Sequence, residues 1–126
     1  MLNETVDNAL TEKAIGAFYK VYNTLGFGYL EKVYENALII ELRKYGLKVE
    51  AQKPIKVHYE GIMVGEYYAD LFIEDKLIVE IKSVLHLTSE HESQIFNYLK
   101  STRIELGLLL NFGPKPEVKR KIWTQR

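Results

Sequence analysis

The chain has 126 residues, 47% of them hydrophobic and 27% charged, so we expect one globular domain (1–126) whose core needs no cross-links. Seventeen basic residues balance seventeen acidic ones, which excludes a global positive charge as the means of attracting a polyanion. The absence of cysteine excludes thiol catalysis, a disulfide framework and cysteine-ligated zinc.

The first part of the chain predicts two helices. Apolar residues recur at helical spacing over 6–25, with Asn3 as the expected N-cap and Gly26 as the stop. A second helical pattern runs over about 30–45. The segment that joins them, 26–29, contains two glycines, so the sequence predicts an N-terminal helical hairpin.

The apolar period then changes to two, which predicts four strands: residues 49–59, 62–64, 67–73 and 77–82. Residues 89–92 match a capping box and open a helix that runs to about Lys100. The continuously apolar run 107–112 is typical of a strand buried on both faces, and 118–123 predict a last strand. The order α-α-β-β-β-β-α-β-β predicts an α/β fold with a mixed β-sheet flanked by helices.

Acidic residues interrupt two apolar strands at a predicted β-hairpin. Only three polar residues, 74–76, separate the strands, which places Asp70 directly across from Glu80. Side-chain alternation puts both acids and Lys82 on one face and leaves the other face, with Ala69, wholly apolar. Like charges at this spacing destabilise a sheet, whereas a hard divalent cation prefers such paired carboxylates. The alternative is a pair of solvated charges that Lys82 neutralises.

Ordered motifs along nearly the whole chain resemble the PD-(D/E)xK nuclease superfamily, and the first of them resembles its GxxExxY family. These motifs are Gly28-x-x-Glu31-x-x-Tyr34, Asp70, Glu80-Ile81-Lys82, Gln94-x-x-x-Tyr98 and Asn111-Phe112-Gly113. Ala69 stands where the superfamily nominally has proline, which leaves the acidic ligand in place. The resemblance implies a restriction-endonuclease-like fold and hydrolysis of phosphodiester bonds.

The resemblance also implies a cofactor, Mg²⁺ or Mn²⁺, and roles for the acidic hairpin. Asp70 and Glu80 would be metal ligands, and the backbone carbonyl of Ile81 would be a third. Lys82 would either orient the attacking water or stabilise the charged phosphorane, and the sequence leaves both roles open.

Helix residues extend the candidate site. Glu31 resembles an acid that superfamily members direct at the metal, although an exposed acid in a first helical turn is also favoured by the helix dipole. Glu35, one turn on, is interpreted as a solvated neighbour. Gln94 and Tyr98 share one helix face and would position the scissile strand or brace the lysine; a polar spacer is the alternative for Gln94.

Basic residues suggest the expected partner, nucleic acid and DNA in the first place. Lys100 and Arg120 belong to modest basic patches that would follow a phosphate backbone, although basic residues on a solvated edge strand also discourage aggregation. A homodimer and a protein partner are further expectations. Two other functions stay open: a catalytically silent nucleic-acid or protein-binding module, and a metal-dependent phosphodiesterase acting on RNA or nucleotides.

The sequence also carries expectations about location. No apolar stretch approaches the roughly 20 residues that cross a bilayer. Residues 1–7 are polar and acidic, unlike a signal peptide. We therefore expect a cytoplasmic protein without a membrane partner.

Overall fold

A computed structural model of the chain describes residues 7–124. Its elements in chain order are α1 (Asn8–Leu25), α2 (Glu31–Lys44), β1 (Val49–Tyr59), β2 (Ile62–Ile73), β3 (Leu77–Lys82), α3 (Ser89–Thr102), β4 (Leu106–Phe112) and β5 (Pro116–Ile122). The predicted α/β class and the N-terminal pair of helices are confirmed. Within the described residues, none of the helices is both long and apolar enough to cross a membrane.

The prediction of four strands before the third helix is wrong, because the structure has three there. The strand β2 continues without a break through Gly65, which pairs with Val57 of β1. Pro54 is tolerated within β1 because this strand lies at the edge of the sheet and has only one neighbour.

The five strands form one mixed sheet in the order β1-β2-β3-β4-β5. All neighbouring strands are antiparallel except β3 and β4, which are parallel and joined through α3. The predicted mixed sheet is therefore confirmed. Since β3 and β4 run in the same direction, their carboxyl ends meet at one edge of the sheet, where the acidic motif lies.

The helices cover the two faces of the sheet unequally. The core beneath α1 and α2 contains the buried side chains of Phe18, Tyr34, Leu38, Leu42, Leu71, Ile73, Val79, Ile81, Leu108, Leu110 and Phe112. The smaller core beneath α3 contains Ile55, Ala69, Phe72, Ile78, Ile95, Tyr98, Leu99 and Leu109. Every residue of β4 is buried, as the continuous apolar run predicts.

Ala69 lies on the other face from the one that alternation predicts. It packs with Phe72 and Ile78 beneath α3, and not with Leu71. At the same level, Gln52 on the neighbouring strand β1 adopts a left-handed backbone with φ +55°. The Gln52 side chain contacts α2, as described below.

The helix N-caps also differ from the sequence prediction. The side chain of Asp7 caps α1 by accepting the Leu10 N–H at 2.9 Å, whereas Asn3 lies outside the described residues. In α3 the capping box starts at Thr88, whose hydroxyl accepts the His91 N–H, while His91 Nδ1 accepts the Thr88 N–H at 3.0 Å. His91 is therefore engaged in holding the helix start.

Candidate active site

The acidic motif begins where the hairpin of β2 and β3 stops pairing through its backbone. The cross-strand partners Ile73↔Leu77 and Leu71↔Val79 confirm the register that a three-residue connection predicts. Beyond the second pair, no further backbone partners join these two strands among residues 7–124. The next position along β2 is Asp70.

At that point, side-chain carboxylates replace backbone carbonyls as the hydrogen-bond acceptors between β2 and β3. The Asp70 N–H donates to Glu80 Oε2 at 2.9 Å, and the Ile81 N–H donates to Asp70 Oδ2 at 2.7 Å. Each acid thus accepts a backbone donor of the opposite strand, which explains how the sheet tolerates two like charges here. Among residues 7–124, the other oxygen of each carboxylate accepts no hydrogen bond from the protein.

Burial makes it unfavourable for both carboxyl groups of this pair to be charged. Glu80 is only 5% exposed, and burial together with the charge of Asp70 raises its pKa to about 8. Burial also raises the pKa of Asp70, with the charges of Glu35 and Glu31 adding to the effect. Glu80 therefore retains its proton at neutral pH unless a cation joins the pair.

Lys82 is the cation nearest to this pair along the chain. It ends β3, is half-buried, and its charge lowers the pKa of both Asp70 and Glu80, against the larger effect of burial. The ammonium group therefore lies near both carboxylates, as the alternation predicts.

Tyr34 holds the turn between the first two helices. Its side chain is fully buried, and its hydroxyl donates to the Gly26 carbonyl at 2.7 Å and accepts the Tyr29 N–H at 3.2 Å. Gly28, inside this turn, has φ +115°, a conformation that side-chain-bearing residues rarely adopt. Two of the three residues in the G-x-x-E-x-x-Y motif are thus structural.

Glu31 is the first residue of α2 and is exposed. Its charge raises the pKa of Asp70 and Glu80, so its carboxylate lies on their side of the molecule. Beside it is an open cleft of about 650 Å³ that is largely apolar, with Phe27, Leu30 and Leu85 among its exposed side chains.

Glu35 was missed by the sequence interpretation. It is only 4% exposed, so its interpretation as a solvated neighbour is wrong. Its carboxylate accepts hydrogen bonds from Lys32 Nζ and from Gln52 Nε2, both at 2.9 Å, and its charge raises the pKa of Asp70. The available signal was its spacing of one helical turn from Glu31. The contact with Gln52 joins two elements that are 17 positions apart, which spacing does not predict.

The helix α3 brings a second set of predicted residues to the same region. Tyr98 is 6% exposed, and burial together with the charges of Glu80 and Asp70 raises its pKa to about 12, which places its hydroxyl near the acidic pair. Beside Tyr98 lies a groove of about 700 Å³ between α3 and the strands β1 and β2, which we call the α3 groove. Its lining includes Val57, Tyr67, Gln94, Asn97, Tyr98 and Lys100.

Arg120 is not brought to this region. It lies on β5, two strands away from β3, and its guanidinium donates to Asn8 at the start of α1. The structure therefore groups the other predicted residues around the acidic hairpin and the α3 groove, and leaves Arg120 two strands away from β3.

Asn111 holds the loop that follows the acidic strand. This side chain is fully buried; its Oδ1 accepts the Val84 N–H and its Nδ2 donates to the Val84 carbonyl, both at 2.9 Å. It also donates to Glu117, which accepts the Leu87 N–H. A Cβ at Gly113 would lie 2.2 Å from the Val84 carbonyl oxygen, so only glycine fits there. The N-F-G motif thus fixes the chain beyond Lys82.

The donor set suits a hard divalent cation with few protein ligands. Among residues 7–124, no three His, Asp or Glu side chains converge closely enough to form a metal cluster. Asp70 and Glu80 each retain one free oxygen, and Ile81 offers a carbonyl between Glu80 and Lys82. Mg²⁺ prefers oxygen ligands and keeps several of its waters, so two carboxylates suffice. The raised pKa values also indicate a shortage of positive charge at this point.

Comparisons with known proteins identify the fold and the superfamily. The crystal structure of SSO0001 superposes with a TM-score of 0.56 and 18% identity over 75% of this chain, which shows a shared fold; the match spans about 50% of that protein's own chain. No curated protein sequence matches the chain significantly. A family model described as "PD-(D/E)XK nuclease superfamily" matches residues 8–121. The chain therefore belongs to the PD-(D/E)XK nuclease superfamily.

Proposed function

We propose that this protein is a divalent-metal-dependent nuclease that hydrolyses phosphodiester bonds, with DNA as the first substrate to test. The proposal rests on one observation. The carboxylates of Asp70 and Glu80 each accept a backbone N–H from the opposite strand of the hairpin, and Lys82 lies beside them. A purely structural pair of acids has no need of a buried carboxyl whose pKa is raised to about 8.

The chain's own residues have distinct tasks in this proposal. Asp70, Glu80 and the Ile81 carbonyl would hold Mg²⁺ or Mn²⁺. The bound ion supplies Lewis acidity towards a phosphate oxygen and makes water a better nucleophile. Glu80 releases its proton when the site is loaded, because a cation favours the charged carboxylate. Lys82 contributes a positive charge where negative charge develops on the phosphate as water attacks and the ester oxygen leaves. Glu31 adds an exposed acid at the rim of the site.

We also propose that the chain falls in the GxxExxY branch of the superfamily. The construction of its motif supports this: Gly28 and Tyr34 shape the turn, and that turn presents Glu31 to the acidic pair. A homodimer, a protein partner, a single domain over 1–126 and a cytoplasmic location remain predictions.

The test is cleavage of labelled single-stranded, duplex and branched DNA, with RNA in parallel, in the presence of Mg²⁺, Mn²⁺ or EDTA. The informative variants are Glu80→Gln, whose amide oxygen keeps an acceptor for the Asp70 N–H, and Lys82→Met, which removes the charge but keeps the length of the side chain. We expect each to reduce cutting by at least about 100-fold. Lys76→Met is the matched control, because this exposed lysine lies at the opposite end of β3.

The outcomes separate the functions. Metal-dependent cutting that is lost in both site variants and kept in Lys76→Met would establish the nuclease and its centre. Cutting of RNA alone would favour an RNA phosphodiesterase. The absence of both cutting and calorimetric Mn²⁺ binding would leave a silent binding module.

A further inference from the structure

We propose that the α3 groove binds an unpaired nucleobase next to the acidic hairpin, so that the enzyme acts on single-stranded or frayed nucleic acid. This inference rests on the proposed function for the identity of the substrate. The new elements are the form of the nucleic acid that the site accepts and the side chains that select that form.

One side chain links the groove to the acidic pair. Tyr98 forms part of the groove wall, and the charges of Glu80 and Asp70 act on its hydroxyl. Tyr67, three residues before Asp70 on β2, packs against Tyr98 with ring centroids 5.8 Å apart and an angle of 40°. Three residues of strand span about 10 Å, so a group held at Tyr67 lies beside the same stretch of β2 that carries Asp70.

The lining combines the features that a nucleobase requires. Tyr67 is 48% exposed, so one part of its ring packs on Tyr98 while the rest remains open for stacking. Val57 adds apolar surface, and the amides of Gln94 and Asn97 offer both donors and acceptors. A flat ring with a polar edge matches this combination, whereas a phosphate alone would not use the apolar wall. The volume of about 700 Å³ lies within the roughly 300–1,000 Å³ typical of small-molecule sites.

Charge gives the bound nucleotide an orientation. Lys100 lies at one end of the groove and Glu90 at the other. Ten residues of helix separate them, which is about 15 Å. A phosphate is attracted to the Lys100 end and repelled from the Glu90 end, so the phosphate of the bound nucleotide would lie towards Lys100.

The pairing state of the substrate follows from the same contacts. In a duplex, the faces of each base are stacked on its neighbours and its pairing edge is occupied. A base that stacks on Tyr67 and forms hydrogen bonds to Asn97 or Gln94 through its edge must therefore have left the nucleic-acid duplex. Unpaired nucleotides reach the groove without the free-energy cost of opening a pair, which favours single strands, flaps and frayed ends.

The test measures binding in the absence of cutting. Fluorescence anisotropy with Ca²⁺ in place of Mg²⁺ compares one labelled DNA sequence as a single strand and as a blunt duplex, with the same sequence in RNA as a third probe. We expect the single strand to bind at least about tenfold more tightly than the duplex. Tyr67→Ala should weaken single-strand binding about 5- to 100-fold, since base–aromatic stacking contributes that much.

Two variants serve as controls. Tyr67→Phe keeps the ring and should bind as the wild type does. Tyr59→Ala removes a 66% exposed tyrosine at the far end of the same β1–β2 hairpin and should change nothing. Both tyrosines are exposed, so thermal melting is expected to show folded protein for each variant.

Each result has one meaning. Unchanged single-strand binding by Tyr67→Ala, preference for the blunt duplex, or no binding of any probe overturns the groove assignment. Intact single-strand binding, together with no cutting in Mg²⁺ or Mn²⁺ and no calorimetric Mn²⁺ binding, contradicts the nuclease but supports the groove. Tighter binding of RNA supports the groove and identifies the unpaired strand as RNA.

Discussion

The two faces of the sheet are built for different purposes. Beneath α1 and α2, apolar side chains close the whole face, from Leu71 on β2 to Leu110 on β4. Beneath α3 the apolar core is smaller, and beside it the sheet presents Asp70, Glu80 and the α3 groove. The face beneath α1 and α2 stabilises the fold, whereas the face beneath α3 contributes less to stability because it holds buried acidic side chains.

This difference predicts that the two faces respond oppositely to substitution and to solvent conditions. On the apolar face, removing atoms should destabilise the fold without a specific effect on the site. On the acidic face, removing charge should stabilise the fold and abolish activity. Three experiments test whether changes on one face alter stability, metal binding or both.

The largest expected effect is the pH dependence of stability without metal. The pKa of Glu80 is raised from 4.5 to about 8 on folding, so the folded state binds more protons than the unfolded state between these values. The contribution of Glu80 to stability is therefore fully present below about pH 4.5 and is lost as pH rises towards 8, by an amount on the order of 4 kcal/mol. Asp70, whose pKa is also raised, acts in the same direction. Denaturant unfolding at pH 5 and pH 8.5 in EDTA measures this change.

Glu80→Gln is the control for that experiment, because it has no proton to lose. It should be more stable than the wild type at pH 8.5 and show a flatter pH profile. Saturating Mg²⁺ should stabilise the wild type more at pH 8.5 than at pH 5 and have little effect on the variant. A wild type whose stability rises from pH 5 to 8.5 would contradict the burial of charge at this site.

A somewhat smaller effect is expected on the apolar face. Leu108 is fully buried on β4, so Leu108→Ala should destabilise the fold by about 3 kcal/mol through lost contacts and a residual cavity. Leu85→Ala is the matched control, since Leu85 is 68% exposed and should cost almost nothing. Urea unfolding gives both values. Affinity for Mn²⁺ should be unchanged in folded Leu108→Ala; a specific loss would mean that the faces are coupled.

The smallest effect concerns the boundary between the faces. Glu35→Gln keeps an oxygen to accept from Gln52 but removes a charge that raises the pKa of Asp70. We expect the pH midpoint of Mn²⁺ binding to move downward by a few tenths of a pH unit. The measurement is calorimetric titration across pH 5–8. An upward move would contradict the effect of the Glu35 charge on Asp70.

Local spacing accounts for most of what the sequence predicts correctly. A three-residue connection fixes the hairpin register, so the neighbourhood of Asp70 and Glu80 follows without tertiary information. Alternation alone fails at Ala69, beside the left-handed backbone of Gln52 on the neighbouring strand, and no residue type there indicates either irregularity.

The interactions that escape prediction are those between distant elements. Glu35 contacts Gln52 across 17 positions, and Asn111 holds Val84 across 27. Both depend on how α2 and β4 pack, which helical or strand periodicity does not specify. The α3 groove escapes for the same reason: Tyr67 and Tyr98 belong to elements that meet only in the folded chain.

Side chains replace backbone partners at three positions near the site: Asp70, Ile81 and Val84 donate their N–H groups to Glu80, Asp70 and Asn111. These amide protons should therefore exchange slowly with deuterium for as long as the carboxylates stay in place. Their chemical shifts should also move when either acid gains a proton or a cation. Three backbone resonances thus give a spectroscopic record of the site that requires neither substrate nor label.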